Sequence, residues 1–206
     1  MKVQRLFTLM VAFLTLGTAT VAASSIWGDF EGYSKARVLV NDTEKQFPGS
    51  DVPGFIINGK TVLPLRELAD SLQAIVKWDD SAKTASIYRP NVHLSVVRDI
   101  GKDYSMKEPF GVVEQGKTID FVVFAQVDNL KTSLSSIRIT IESPSGTNAV
   151  TPHEKGMDGQ KDSFWYPVRF TDVNFNEYGK YKVKFEMLPS DSSEYTVVSE
   201  KEILAE

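Results

Sequence analysis

The sequence predicts an α+β unit, a small antiparallel sheet with one helix, followed by an all-β sandwich. Three observations carry this expectation. Only residues 64–73 repeat apolar side chains at helical spacing. Beyond residue 92 several runs alternate apolar and polar side chains with a period of two. Turn-forming pairs punctuate both halves, and Arg89-Pro90-Asn91 separates them, because proline there cannot continue a strand ladder.

Residues 1–23 read as a secretory signal. Lys2 and Arg5 precede an apolar run at 6–16, Gly17 breaks it, and Val21-Ala22-Ala23 fits cleavage before Ser24. The run is too short for a membrane span, which needs about 20 residues, and no second apolar segment follows, so no membrane insertion is expected after its removal. Residues 24–34 (SSIWGDFEGYS) form an aromatic leader.

In the segment 35–90, residues 36–40 (ARVLV) read as a strand, Asn41-Asp42 as a turn, and 45–47 as its hairpin partner. Residues 55–57 and 61–63 flank Asn58-Gly59, the pair favoured in two-residue hairpin turns. Pro64 suits a helix start. Leu65, Leu68, Ala69 and Leu72 then share one face of a helix reaching about Gln73. Residues 75–78 and 84–88 are strands about a turn at 79–81.

In the segment 92–206 the strands fall at 92–98, 119–127, 137–141, 164–171, 181–187 and 195–203. Phe121, Val123 and Ala125 share one face, as do Ile137, Ile139 and Ile141, and Tyr181, Val183, Phe185 and Met187. Lys180, Lys182, Lys184 and Glu186 take the opposite face. Short strands of this number and spacing suit an immunoglobulin-like sandwich.

Residues 37–88 carry VLVN, FIINGKTVLPLRELADSL and AIVKWDDSAKTASI in that order. The segment resembles the N-terminal stalk domain of copper amine oxidases, a module also found in secreted bacterial proteins unrelated to amine oxidation. Lys60 stands where that family often has Arg, and Gln73 where it often has a helix-ending Gly. The resemblance implies a small sheet wrapped against one helix. Copper and the oxidised tyrosine belong to the catalytic domain of those oxidases, so no cofactor is expected here. Residues 176–185 (NEYGKYKVKF) resemble bacterial Ig-like domains, with Tyr181 two residues before inward Val183 in the tyrosine-corner position.

The chain has 206 residues, no cysteine and a net charge of −4. Without residues 1–23 it keeps 21 basic and 27 acidic residues, a net of −6. Absent cysteine excludes a disulfide scaffold, thiol catalysis and cysteine-ligated metal. The acidic balance argues against nucleic acid as a partner. His93 is placed on a strand and His153 in a polar loop, too sparse for a metal site. Asp158 to Asp162 lacks ligand positions of a calcium loop. Neither a G-x-S-x-G elbow nor a phosphate-binding glycine loop occurs. Asp79-Asp80 is turn chemistry, and Arg66 ties the helix to an adjoining loop.

Alternation along 119–127 that turns Phe121 inward turns Val122 and Phe124 outward. The same logic turns Trp165 outward on a neighbouring strand. These three residues are the candidate partner-binding site, an apolar patch open to a partner unless the stalk-like unit, residues 24–34 or a terminal segment covers it. The expected role is a secreted, non-catalytic binding or adhesion module acting outside the cell or at the envelope, on a protein or glycan. The alternative is a structural spacer or assembly subunit.

Overall fold

The computed structural model describes residues 27–47, 52–157 and 162–206. The signal segment at 1–23 and the start of the leader lie outside the described residues, as do residues 158–161 of the loop weighed for calcium. The backbone divides into two compact units, one ending at Pro64 and the other Leu65–Glu206. Strands dominate both, and one short helix occurs among the described residues.

The first unit is three two-stranded hairpins: β1 (Asp29–Phe30) with β2 (Tyr33–Ser34), β3 (Leu39–Val40) with β4 (Thr43–Glu44), and β5 (Phe55–Ile57) with β6 (Lys60–Val62). Asn41 and Asp42 both take positive φ, 50° and 61°, as do Asn58 and Gly59, 49° and 71°. That is the type I′ geometry whose twist matches the flanking strands. The tight turn pairs β3 with Thr43–Glu44, not with 45–47 as expected, because two central residues leave no slack. The leader packs here: the rings of Phe30 and Tyr33 lie 6.1 and 5.6 Å from Phe55.

The second unit opens with α1 (Leu65–Ser71), β7 (Ile75–Asp79) and β8 (Thr84–Tyr88). α1 ends two residues earlier than expected. Ala74 N–H donates to Ala69 C=O and Gln73 N–H to Asp70 C=O, a Schellman closure. It places Gln73 at φ 57°, the glycine-favouring conformation. Of the face that Leu65, Leu68, Ala69 and Leu72 share, Ala69 is buried, while Leu65 and Leu72 are exposed. Asp79 Oδ1 accepts from Ser81 N–H and Ala82 N–H, closing the hairpin turn as an Asx turn.

Next come β9 (Asn91–Ile100), β10 (Met106–Pro109), β11 (Val112–Val113), β12 (Thr118–Asp128), β13 (Leu134–Glu142), β14 (His153–Gly156), β15 (Phe164–Asn174), β16 (Gly179–Pro189) and β17 (Thr196–Ala205). They form a four-stranded sheet, β10-β9-β12-β15, and a five-stranded sheet, β11-β17-β16-β13-β14. All pairs are antiparallel except β11 with β17. Phe121, Val123, Ala125 and Val127 from the first sheet join Ile137, Ile139, Ile141, Tyr181, Val183, Phe185 and Met187 from the second in one buried cluster. Each such side chain contributes roughly 1.5–3 kcal/mol of transfer free energy. Tyr181 Oη accepts the Glu177 N–H at 2.9 Å, the corner contact its spacing predicts.

β10, β11 and β14 were not expected. β10 (MKEP) and β14 (HEKG) are exposed along their length, so neither alternates. His153 therefore lies on β14 and not in a loop, with Nε2 2.7 Å from the Tyr166 hydroxyl.

Candidate functional site

The candidate patch lies on the outer face of the four-stranded sheet. β12 is central, and its register sets three cross-strand rows on that face. Val122 stands between Val97 and Arg169, Phe124 between Ser95 and Pro167, and Gln126 between His93 and Trp165. Alternation thus places Val122, Phe124 and Trp165 on one face, as expected.

Their exposure differs from the expectation. Trp165 is 53% exposed, but Phe124 is only 3% exposed and Val122 1%. The cover is local. Asp99 on β9 pairs with Arg169 on β15, and the two must reach across β12, which lies between them. The bridge spans β12 beside buried Val122, which stands opposite Arg169. Phe124 is roofed by rings: Tyr104 lies 6.1 Å from it and Trp165 6.0 Å, while Tyr104 and Trp165 meet edge to face at 5.4 Å. Tyr104 is 46% exposed, so the accessible aromatic surface is Tyr104 with Trp165, seated on Phe124.

Sequence reasoning missed Tyr104, which belongs to no strand. The β9–β10 hairpin holds it. Gly101 N–H donates to Ser105 C=O, Tyr104 N–H donates to Gly101 C=O, and Asp103 Oδ1 accepts from both Ser105 N–H and Ser105 Oγ. Those Ser105 bonds hold the Asp103 carboxyl below its usual range. Tyr104 pays for its place with φ 62°, a left-handed backbone costing a non-glycine residue roughly 1–2 kcal/mol. The run Gly101-Lys102-Asp103-Tyr104 was the available clue, since Gly and Asp mark a tight turn that lifts its next side chain.

Charge on this face is largely matched within itself. Asp99 faces Arg169 and, at 3.9 Å, Lys107. The Arg169 hydrogen bond keeps Asp99 below the ordinary carboxylate range. Gln126 Nε2 donates to Asp128 Oδ2 at 3.2 Å.

The outer face of the five-stranded sheet is different. Glu186 is 7% exposed and accepts from both Nε and Nη2 of Arg138, each at 2.8 Å, and from Thr140 Oγ1 at 2.6 Å. Burial pushes its carboxyl up, but the Arg138 and Thr140 hydrogen bonds outweigh it and leave the group below its usual range. Tyr195 stacks on the Arg138 guanidinium at 3.9 Å, and its hydroxyl meets Ser136 Oγ at 2.5 Å. Lys184–Glu142, Lys182–Glu200 and Lys180–Glu202 continue the ladder.

Concave sites occur in both units. In the first unit a cavity of about 500 Å³ is lined by Trp27, Phe30, Arg37 and Glu44 among others. Its Arg37 is bonded to Glu44 at 3.0 Å and lies 5.1 Å from the Trp27 ring centre. In the second unit a smaller one, about 250 Å³, holds Arg66 and Asp70 beside Glu194 and Tyr195. His93 lies on β9 and His153 on β14, in different sheets. Among the described residues no group of three or more His, Asp or Glu is placed to hold a metal ion, and no helix is long and apolar enough to cross a membrane.

Residues 39–108 match the family model of the copper amine oxidase N-terminal domain. The match is 70 residues of 206 and runs past Pro90 through β9 into β10. That domain is non-catalytic in the oxidases. No curated protein matches the chain.

Proposed function

We propose that the protein is a secreted, non-catalytic binding module that acts outside the cell or at its envelope and engages its partner through Tyr104 and Trp165. The observation that carries this is the pair of half-exposed rings seated on buried Phe124. A ring braced from beneath loses little side-chain freedom on contact, which is why Trp and Tyr concentrate in interfaces. The non-catalytic nature of the matched domain supports the reading. The finer architecture we propose for the larger unit is an immunoglobulin-like sandwich. The Tyr181 corner bond, the buried two-sheet core and the parallel β11–β17 pair support it.

The test is capture from the envelope fraction of the producing cell, with wild type, Trp165→Ser and Tyr104→Ser as bait. Loss of the partner in both variants, with fold and sedimentation unchanged, is the expected result. A spacer or assembly subunit is the second reading, favoured by β15, an eleven-residue strand at its sheet's edge. Pro167 blunts that edge. A changed sedimentation coefficient in Trp165→Ser would favour this second reading.

A further inference from the structure

We propose that the outer face of the four-stranded sheet binds a neutral polysaccharide, with a sugar ring stacked on Trp165. This rests on the binding reading above and names its ligand class. Three features of the face converge on it.

The first is the aromatic corner. Tyr104 and Trp165 stand at 80° with their centres 5.4 Å apart. One ring offers a face and the other an edge to the same bound group. A pyranose with equatorial hydroxyls carries a flat patch of C–H bonds. Their slight positive charge suits the negative face of an aromatic ring.

The second is what borders the corner. Gln126 is opposite Trp165 in the cross-strand row, His93 is opposite Gln126, and Asn91 is opposite Asp128 in the next row. Amide, imidazole and carboxylate together supply both donors and acceptors. A sugar hydroxyl is both at once and needs such a mixed border.

The third is charge complementarity. Arg169 and Lys107 both lie against Asp99, so neither cation is left without a carboxylate, and Asp128 accepts from the neutral Gln126. A face whose cations are already paired fits an uncharged ligand. An anionic polymer would instead call for a basic surplus. The left-handed Tyr104 adds to this, since a backbone strained to seat one ring beside another is common at binding sites.

The experiment is retention of the purified protein on insoluble cellulose and chitin, with titration of cellohexaose and chitohexaose followed by calorimetry. Wild type is compared with Trp165→Ser, Tyr104→Ala and Trp78→Ser, the last a control tryptophan that is also exposed. Binding of at least one of these glycans, weakened about tenfold or more by Trp165→Ser and less than about twofold by Trp78→Ser, is the expected result. Failure of wild type to bind any of the four overturns the inference, and so does binding that survives both Trp165→Ser and Tyr104→Ala. If the glycans fail while envelope capture still depends on Trp165, the ligand class is wrong and the binding reading stands. If capture is also independent of Trp165, both fall.

Discussion

The two sheets of the larger unit turn opposite chemistries outward. The five-stranded sheet shows solvent a ladder of Lys–Glu and Arg–Glu pairs, each charge answered by a cross-strand neighbour. The four-stranded sheet puts Val97, Val122 and Phe124 on its outer face, with an ion pair across β12 and two rings over Phe124. Cross-strand ion pairs, joined by Thr140 and Tyr195 around Arg138 and Glu186, satisfy the charged face. The aromatic face is satisfied underneath and left open on top, because its outermost layer is itself apolar. The difference teaches where to look for a partner: an outward residue matters less than whether its cover is polar.

Cutting the buried layer of the aromatic face should have the largest effect. Phe124→Ala removes a ring packed beneath Tyr104 and Trp165, and large-to-small changes of this kind cost about 3–5 kcal/mol. Urea unfolding should place this variant near 3 kcal/mol below wild type, since the roof can partly settle. Loss under 1 kcal/mol would mean the rings do not depend on Phe124.

The charged face breaks at one point. Arg138→Ala leaves the Glu186 carboxylate buried with Thr140 as its remaining close partner. Unpairing a buried charge costs about 3–5 kcal/mol, reduced here to about 2–3 because Arg138 is partly exposed. By contrast, removing Lys180, whose pair with Glu202 lies at the surface, should cost far less than Arg138→Ala. Equal losses in the two variants would erase the distinction between a buried pair and a surface pair on the same strand.

Acid sharpens the same contrast. The Glu186 carboxyl is held below its unfolded value, so its contribution is complete above that value and fades as pH falls through the folded one. The stability gap between wild type and Arg138→Met should be widest near neutral pH and shrink as acid takes Glu186 through its lowered folded value. A gap that stays constant with pH would mean that the guanidinium contributes by packing on Tyr195 alone.

Much of this was legible in the sequence because it is periodic or local. The inward sets on β12, β13 and β16 follow from a period of two, and the Asn58-Gly59 hairpin and the Tyr181 corner follow from spacing. Gln73 was seen to stand in a glycine's place, and it adopts the glycine conformation. The outer cover was not legible. Alternation gives the direction of Val122 and Phe124 but not what lies above them, and part of the cover of Phe124 comes from Tyr104, twenty residues earlier in a loop without period. Glu186 was read as one more outward charge. Its burial depends on Arg138 and Tyr195, which only strand order brings to it.

A small expected stability effect is the most telling one for function. Trp165→Ser removes a ring more than half open to solvent, and surface changes of this kind stay within about 0.5 kcal/mol. Some loss is expected from the edge contacts with Tyr104 and Phe124, about 0.5–1.5 kcal/mol for a well-formed aromatic pair. Against this, the freed Tyr104 can settle onto Phe124 and recover part of that contact, so thermal unfolding should fall by no more than about 2–4 °C. A residue that adds so little to the fold yet leaves about half of its surface in water is placed for a contact outside the chain. If Trp165→Ser instead destabilised the protein as much as Phe124→Ala does, the ring would belong to the roof, and the aromatic face would be as self-sufficient as the charged one.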